Sequence, residues 1–555
     1  MYVLSAAEMK VCDRLTTVRF DVPSLELMRA ASAAVAAFAR EQFPRAQRIT
    51  VLCGRGNNGG DGMMAARRLA SAGLEVTTLL LGARQGLTGD AAEAWSELTS
   101  TPHGLVHIIE AAEDLALHKT ALEADLILDA VVGTGFKPPL KGLAAAALEW
   151  VKASTAPILA IDLPSGWPAD ETAATVAGPV FPADAVITFT APKPAHVFGQ
   201  LTRSWEQPIV VAPIGSPEEA VVSALGPDSL NLTWAGSALA LMQAHRSATA
   251  NKGNFGHVLV VGGSVGKSGA PAMTSLGALR TGAGLVTAAV PAPILPLVAA
   301  IAPELMTWPL VANSAGQISA ENLTPEALAA LTAGKTVLAI GPGLGQSPEA
   351  IQFITSLLAA TKIPAVIDAD ALNILAGKPE ELEKLSAGAK AGRTVVLTPH
   401  PGEMARLAGI PVAEVQANRL GVARGFAQRT GMIVALKGAR TLIAHPDGRV
   451  AVNTTGNPGM AKGGSGDLLT GLIAGLVAQH PTASARAVAA AVYLHGLAAD
   501  LAVRAADEHT LLATDSLPQL PRAFHFHTGG PTGYLWLQGL PTEALQAAAL
   551  QEATL

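Results

Sequence analysis

The sequence predicts an α/β protein built from two tandem three-layer α/β domains. Three observations predict it. In two separate regions a short apolar run, a glycine-rich turn and an alanine-rich helical stretch alternate, the pattern of a parallel sheet flanked by helices. The apolar runs are nearly continuous, as strands buried on both faces require. Between the two regions lies Ser216–Asn231, a break containing Pro217, Gly226 and Pro227.

In the first region the period predicts a helix over Leu25–Gln42. Strands are expected at Arg48–Cys53, Val76–Leu81, Leu126–Val132, Ile158–Asp162 and Ala185–Thr190, with a helix at Gly62–Ala72. The second region begins near Asn251, after the polar stretch HRSATANKGNFG. Its strands are expected at Val258–Val261, Val286–Val290, Val337–Ile340, Ala365–Ile367, Val395–Leu397, Ile433–Leu436 and Thr441–Ala444. The resulting division is a first domain over 1–216, a linker over 217–231, a second domain over 232–524 and a tail over 525–555 without a motif.

Of 555 residues, 50% are hydrophobic and 15% charged, which excludes general disorder. The charge balance of 38 − 44 = −6 argues against a nucleic-acid surface. A mean hydropathy of +0.36 raises the question of a membrane span. The longest charge-free stretch, Thr281–Pro303, carries Pro291, Pro293, Pro296 and Pro303, so no span is expected. The first residues, MYVLSAAEMKVCDR, lack a secretory pattern, and Cys12 and Cys53 make no disulfide framework. A reducing cytoplasm is the expected location.

VLCGRGNNGGDGMMAARRLA reads as strand, glycine loop and helix. Gly54, Gly56 and Gly59 satisfy GxGxxG, but the next strand runs into Gly82-Ala83-Arg84 and offers no carboxylate for a ribose. Asn57, Asn58 and Asp61 fill the loop with oxygens, which favour a hard cation or a hydroxylated ligand over a phosphate. Two further strand ends, LILDAVVGTGFKPPL and LAIDLPSGWPAD, bring Asp129, Asp162 and Ser165 to the same edge of the sheet. Asn58, Asp129 and Ser165 could surround one cation; alternatively, Asp129 and Asp162 cap turns.

NNGGDG, DAVVGTG, DLPSG and TAPKP together resemble the YjeF N-terminal domain, the NAD(P)H-hydrate epimerase, over roughly Met1–Ile214. The resemblance implies a Rossmann-like fold and a potassium site from Asn58, Asp129 and Ser165. It implies a hydrated nicotinamide ligand against Asn57, Asn58, Gly59, Gly60, Asp61, Gly133, Thr134, Gly135, Phe136, Lys137, Pro138, Pro139 and Asp162, with Asp162 as general acid/base. Lys193 is either a helper or a surface lysine, and Ala195 stands where the family pattern has glycine.

In the second region Gly266-Lys267-Ser268 fails as a P-loop, because the glycine required five residues earlier is Val261. The segment NTTGNPGMAKGGSGDLLTGLIAGL is sharper. Gly463, Gly464 and Gly466 leave helix N-terminal amides open as an anion hole. Asp467 at its edge is placed to take a proton from a hydroxyl while the amides hold a phosphoryl group, unless it serves only as the N-cap. KGNFG, GGSVGKSGA, GPGLG, IDADALN, TPHPGE, LKGART and GGSGD together resemble the ADP/ATP-dependent NAD(P)H-hydrate dehydratases of the ribokinase-like superfamily, over roughly Ala244–Arg522. That resemblance implies hydrate contacts at Ala270, Gly343, His400 and Asp467, and a nucleotide on Lys437, Gly438, Ala439, Arg440, Thr441 and Gly466. It implies Mg2+, ADP or ATP as co-substrate, and a homo-oligomer. His400 is either a ligand contact or a turn histidine.

Fused in this order, the domains resemble the bifunctional NAD(P)H-hydrate repair enzymes, acting on NADH hydrate and NADPH hydrate. A ribokinase-like small-molecule kinase fused to a ligand-binding module is the competing reading, and the two part on product: a stable phosphorylated alcohol against loss of water.

Overall fold

The computed structural model describes residues 1–100, 104–242, 245–526, 528 and 533–541. The chain forms two compact units: Met1–Leu232 with the C-terminal segment from His527, and Thr233–Phe526.

In the first unit the strands lie in the order Leu105–Ile109, Glu75–Leu81, Arg48–Cys53, Leu126–Ala130, Ile158–Ile161, Ala185–Phe189, Ile209–Ala212 and Leu535–Gln538. All neighbours pair in parallel except the last two, which are antiparallel. The chain leaves Arg48–Cys53 toward one edge and later resumes on its other side at Leu126–Ala130. Such a switch point opens a crevice at the C-terminal strand ends, where ligands bind in open α/β sheets. The β-branched and leucine side chains that suit buried strands fill this sheet: Ile49, Val51, Leu52, Leu79, Ile127 and Leu159 are buried.

In the second unit the order is Val450–Val452, Leu442–Ala444, Ile433–Leu436, Val395–Leu397, Ala365–Ile367, Val337–Ile340, His257–Val261, Leu285–Pro291 and Met306–Leu310. The first three strands pair antiparallel and the others parallel. Its switch point flanks His257–Val261. Helices Gly269–Arg280 and Ser465–Gln479 pack backbone to backbone: a Cβ on Gly471 would lie 2.0 Å from the Thr274 carbonyl oxygen. That contact sets the helix bearing Asp467 beside the one bearing Ala270.

The structure corrects several expectations. The first glycine-loop helix starts at Asn57 and not at Gly62, so NNGGDG forms its opening turns. The expected linker contains a helix, Glu218–Ser223, whose Ala220 packs with Leu4, Met9 and Cys12. The expected tail is in part a strand of the first sheet: Phe38 meets Tyr534 edge to face at 5.5 Å, and Tyr534 donates to the Ala34 carbonyl at 3.1 Å. Its residues 527, 529–532 and 542–555 lie outside the described residues; His525 is exposed. Thr281–Pro303 holds a strand and short helices. Pro481–Val503 is long and apolar enough to cross a membrane, and it is almost wholly buried within the structure.

Candidate active sites

The first unit's crevice is a cavity of about 1230 Å3 that runs along the strand ends from Ile214 and Phe189 to Gly82 and Glu110. Asn57, Asn58, Asp61, Gly133, Thr134, Gly135, Phe136, Asp162 and Lys193 line it. Gly59 and Gly60 do not; they are buried, and a Cβ on Gly59 would lie 1.9 Å from the Gly54 carbonyl oxygen, so Gly59 lets the helix start close against its loop. Lys137, Pro138 and Pro139 are exposed and lie outside that lining.

Asp162 sits just past Ile161 with φ +66, a left-handed conformation that costs a residue with a side chain about 1 kcal/mol or more. The turn is held by what it delivers. Lys193 Nζ and Thr188 Oγ1 both donate to Asp162 Oδ1 at 2.8 Å, and Lys193 Nζ also donates to Thr188 Oγ1 at 2.8 Å. His196 Nδ1 accepts from the Lys193 amide at 2.9 Å, which leaves Nε2 to donate to the Asp162 carbonyl at 2.7 Å. Burial pushes His196 down to about 4, with Lys193 adding to the effect, so the ring is neutral. Burial opposes ionisation of Asp162 too, but Lys193, His196 and Thr188 outweigh it and hold the carboxyl below its ordinary value. Asp61 goes the other way: burial, then Asp162 and Asp13, push it well above the usual carboxylate range. Among the carboxyls lining the cavity, Asp162 and Asp61 are thus pushed in opposite directions, the separation acid/base chemistry uses. Lys193 is only 2% exposed, so its reading as a surface lysine is overturned; TAPKP gave no signal of burial.

Asp129 and Ser165 lie beneath the cavity lining, both fully buried. Asp129 Oδ1 accepts from Ser165 Oγ at 2.6 Å and Oδ2 from the Ser165 amide at 2.7 Å, while Ser165 Oγ accepts from the Val132 amide at 2.9 Å. Asp129 therefore does tie two turns together. Burial also pushes its carboxyl up to about 6, because every group it touches is neutral. Both amide atoms of Asn58 are buried without a hydrogen-bond partner, an arrangement that ordinarily costs about 1–3 kcal/mol per group. An under-compensated buried carboxylate, a hydroxyl and an orphaned amide oxygen fit a hard cation bound by oxygens.

In the second unit, Asp467 is the third residue of helix Ser465–Gln479, whose N-cap is Gly464 with φ +94. It is not the N-cap. Its carbonyl accepts from Thr274 Oγ1 at 3.0 Å, and burial, then Asp368, push its side chain up to about 6. Lys437 Nζ lies 3.3 Å from where a Cβ on Gly466 would be, so the LKGART turn meets this helix start. Lys437 donates to Asp368 Oδ1 at 2.8 Å and lies 3.9 Å from Glu403 Oε2. Burial works against its charge, but Asp368, Glu403 and Asp467 outweigh it. The turn itself is fixed by Arg419, which donates to the carbonyls of Leu436, Lys437 and Ala439, and by Thr441 Oγ1, which donates to the Gly438 carbonyl at 3.0 Å. Arg440, with φ +55, turns back to the Thr454 carbonyl at 2.9 Å.

Ala270 and Gly343 meet, since a Cβ on Gly343 would be 3.0 Å from Ala270 Cβ. His400 caps helix Pro401–Ala408: Nδ1 accepts from the Gly402 amide at 3.0 Å, and Nε2 faces Glu403 Oε1 at 3.4 Å. Its ring is half exposed, so the turn role and ligand contact are compatible. The residue sequence reasoning missed is Asp368. It is 1% exposed, grips Lys437 with one oxygen and accepts from Thr470 Oγ1 with the other at 2.8 Å. IDADALN, an acidic residue directly after an apolar strand, was the available signal.

An oxygen-lined acid/base crevice and an amide-rich helix start bearing a carboxylate and a buried lysine define a two-domain α/β enzyme. The NAD(P)H-hydrate dehydratase family model matches residues 258–522, and the YjeF-related protein N-terminus model matches residues 24–195. The bifunctional NAD(P)H-hydrate repair enzyme Nnr of Moorella thermoacetica is 40% identical over 529 residues, covering 94% of this chain and 96% of that protein. The enzyme of the same name from Coxiella burnetii is 37% identical over 505 residues, covering 91% and 95%. A crystal structure of the ADP/ATP-dependent NAD(P)H-hydrate dehydratase from Bacillus subtilis, with ATP and Mg2+, is 34% identical, covers 52% of this chain and 96% of that one, and has a TM-score of 0.43, too low for a structural argument. The chain belongs to the family of bifunctional NAD(P)H-hydrate repair enzymes.

Proposed function

We propose that this chain repairs hydrated nicotinamide cofactors. The first unit interconverts the R and S epimers of NADH hydrate and NADPH hydrate. The second dehydrates the S epimer to NAD(P)H at the expense of ADP, releasing AMP and phosphate. The observation that carries the reading is Asp467, a carboxyl pushed up to about 6 in the first turn of an amide-rich helix start, with Lys437 against the same turn.

In the dehydratase step Asp467 takes the proton of the hydrate's hydroxyl as its oxygen attacks the terminal phosphoryl group of ADP. The amides around Gly466 and the Lys437 ammonium offset the charge gathering on that group. The product is a phosphate ester. The ring nitrogen's lone pair then expels phosphate, and loss of a proton from the adjacent carbon restores the dihydronicotinamide. Mg2+ would arrive with the nucleotide and neutralise phosphate charge. His400, Ala270 and Gly343 would hold the hydrate.

In the epimerase step the ring nitrogen's lone pair would expel the hydroxyl, which picks up a proton and leaves as water, and water would then add to the other face of the planar carbon and give a proton back. Asp162, held toward its ionised form by Lys193, would shuttle the proton; Asn58, Asp129 and Ser165 would hold K+, whose charge would compensate buried Asp129 and fix the helix start that carries Asn58 and the loop that carries Gly133. A stereospecific second site could then consume both epimers. A homo-oligomer working in the cytoplasm suits this reading.

Feeding chemically hydrated NADH with ADP and Mg2+ and following the absorbance of reduced nicotinamide tests the proposal. Return of that absorbance with AMP formation supports it. A stable phosphorylated product with no recovered NADH would assign the second unit to a small-molecule kinase instead.

A further inference from the structure

The cavity of the first unit is much larger than a hydrated nicotinamide ring needs. It reaches from Asp162 across the ends of three more strands to Leu81, Gly82 and Ala83, and past the fourth to Glu110. Neighbouring strands are about 4.8 Å apart, so the end of Glu75–Leu81 lies roughly 14 Å from that of Ile158–Ile161. That is the reach of an extended dinucleotide with its nicotinamide end at Asp162.

At this far end stands the position where a doubly wound sheet usually reads the second ribose, just past the strand next to the glycine loop. A carboxylate there selects the free 2′-hydroxyl; an arginine accommodates a 2′-phosphate. The chain has Gly82 there, and the space a side chain would take is filled by Arg55 from the glycine loop. A Cβ on Gly82 would lie 2.9 Å from Arg55 Cδ, and one on Gly86 would lie 2.6 Å from an Arg55 guanidinium nitrogen. Arg55 is exposed and lines the cavity, and among the described residues it makes no ion pair or side-chain hydrogen bond. Asp90 and Glu110 line the same end without pairing with it. An anion entering there meets two carboxylates and one free guanidinium, so only a group able to engage the guanidinium directly is favoured. A phosphomonoester, dianionic and matched to the guanidinium's paired N–H groups, is such a group.

We propose that Arg55 takes the 2′-phosphate of NADPH hydrate and makes the epimerase cavity discriminate NADPH hydrate from NADH hydrate. The proposal rests on the epimerase reading of this cavity. The diphosphate bridge offers phosphate oxygens too, but it is common to both substrates, so an Arg55 bound there would confer no discrimination.

The test is steady-state epimerisation of both hydrates by the full chain and by its Arg55→Gln and Arg55→Lys variants, with adenosine 2′,5′-bisphosphate and AMP as competing ligands. In Arg55→Gln the ratio of kcat/KM for NADPH hydrate to that for NADH hydrate falls roughly tenfold or more, as loss of charge-assisted hydrogen bonds implies. Arg55→Lys keeps part of the preference, and the bisphosphate inhibits the unaltered chain more strongly than AMP but loses that advantage in Arg55→Gln. An unchanged substrate ratio in Arg55→Gln overturns the proposal, whether both substrates weaken together or neither does. Absence of epimerisation of either hydrate by the unaltered chain would instead remove the epimerase reading, and the proposal with it.

Discussion

Asp368→Asn isolates what the neighbours of Asp467 do for it. Asparagine keeps an oxygen toward Lys437 and Thr470 but removes a charge whose oxygen lies 3.9 Å from the Cβ position of Gly466, one residue before Asp467. Asp467 must be ionised to act as a base, so kcat/KM for dehydration falls as pH drops through about 6. The groups acting on it are Asp368 and Asp370, which raise it, and Lys437, which lowers it. A carboxylate charge acting over ~10 Å at an effective dielectric of about 20 is worth about 1.7 kcal/mol, roughly one pKa unit. Loss of the Asp368 charge leaves the Lys437 charge less compensated, which lowers Asp467 in the same direction. The acid limb of the pH profile therefore moves from about 6 to roughly 5, and the nucleotide KM rises because Lys437 keeps a hydrogen bond there but loses its charged partner. The assay is recovery of reduced nicotinamide absorbance from hydrated NADH with ADP and Mg2+ at a series of pH values. An acid limb that stays at its original pH in Asp368→Asn would refute the idea that these charges set the base.

The first unit gives its own expectations. Asp162→Asn should slow epimer exchange by about 10²–10⁴-fold while leaving nucleotide-dependent recovery, so recovery from a mixed hydrate halts once one epimer is spent; chromatography of the residual epimers checks this. Lys193→Met strands a buried carboxylate and should destabilise the first unit by about 3–5 kcal/mol in urea unfolding, whereas a surface lysine would cost almost nothing. Replacing K+ by tetramethylammonium, whose methyl groups keep oxygen ligands from its charge, should slow exchange and lower the melting temperature; indifference in both would dismiss a cation site at Asn58, Asp129 and Ser165.

The strand interiors were readable because burial on both faces leaves runs such as VLAI, AVI and VVL with no polar interruption. Ends were less so: Val131, Val132 and Thr190 continue the apolar or β-branched pattern and Asp162 follows one directly, yet they belong to turns; at Asp162 and Thr190 the backbone turns to φ +66 and +62. Leu105–Ile109 and Met306–Leu310 are edge strands with exposed faces, and the mixed pattern this produces hid them. Leu535–Gln538 was invisible as a strand because its pairing partner, Ile209–Ala212, lies more than 300 residues earlier. Within the sites, motif spacing pointed to Asp162, Asp129 and Asp467, residues at strand or helix ends where turn chemistry is local. Lys193, Asp368 and Arg55 act across loops, and nothing in the neighbouring sequence marks a lysine or arginine as buried or unpaired.

The central claim is that the turn ending at Asp467 converts a hydroxyl, a poor leaving group, into a phosphate. Hydrate prepared in heavy-oxygen water carries the label in that hydroxyl, and turnover with ADP and Mg2+ by the Asp162→Asn chain, whose first unit no longer exchanges the hydroxyl with water, should deliver it to the released inorganic phosphate, read by mass spectrometry, with no such transfer when Asp467→Asn is added. Label found in water, with unlabelled phosphate, would mean that the hydroxyl leaves without ever attacking the nucleotide, and the account of this site would be wrong.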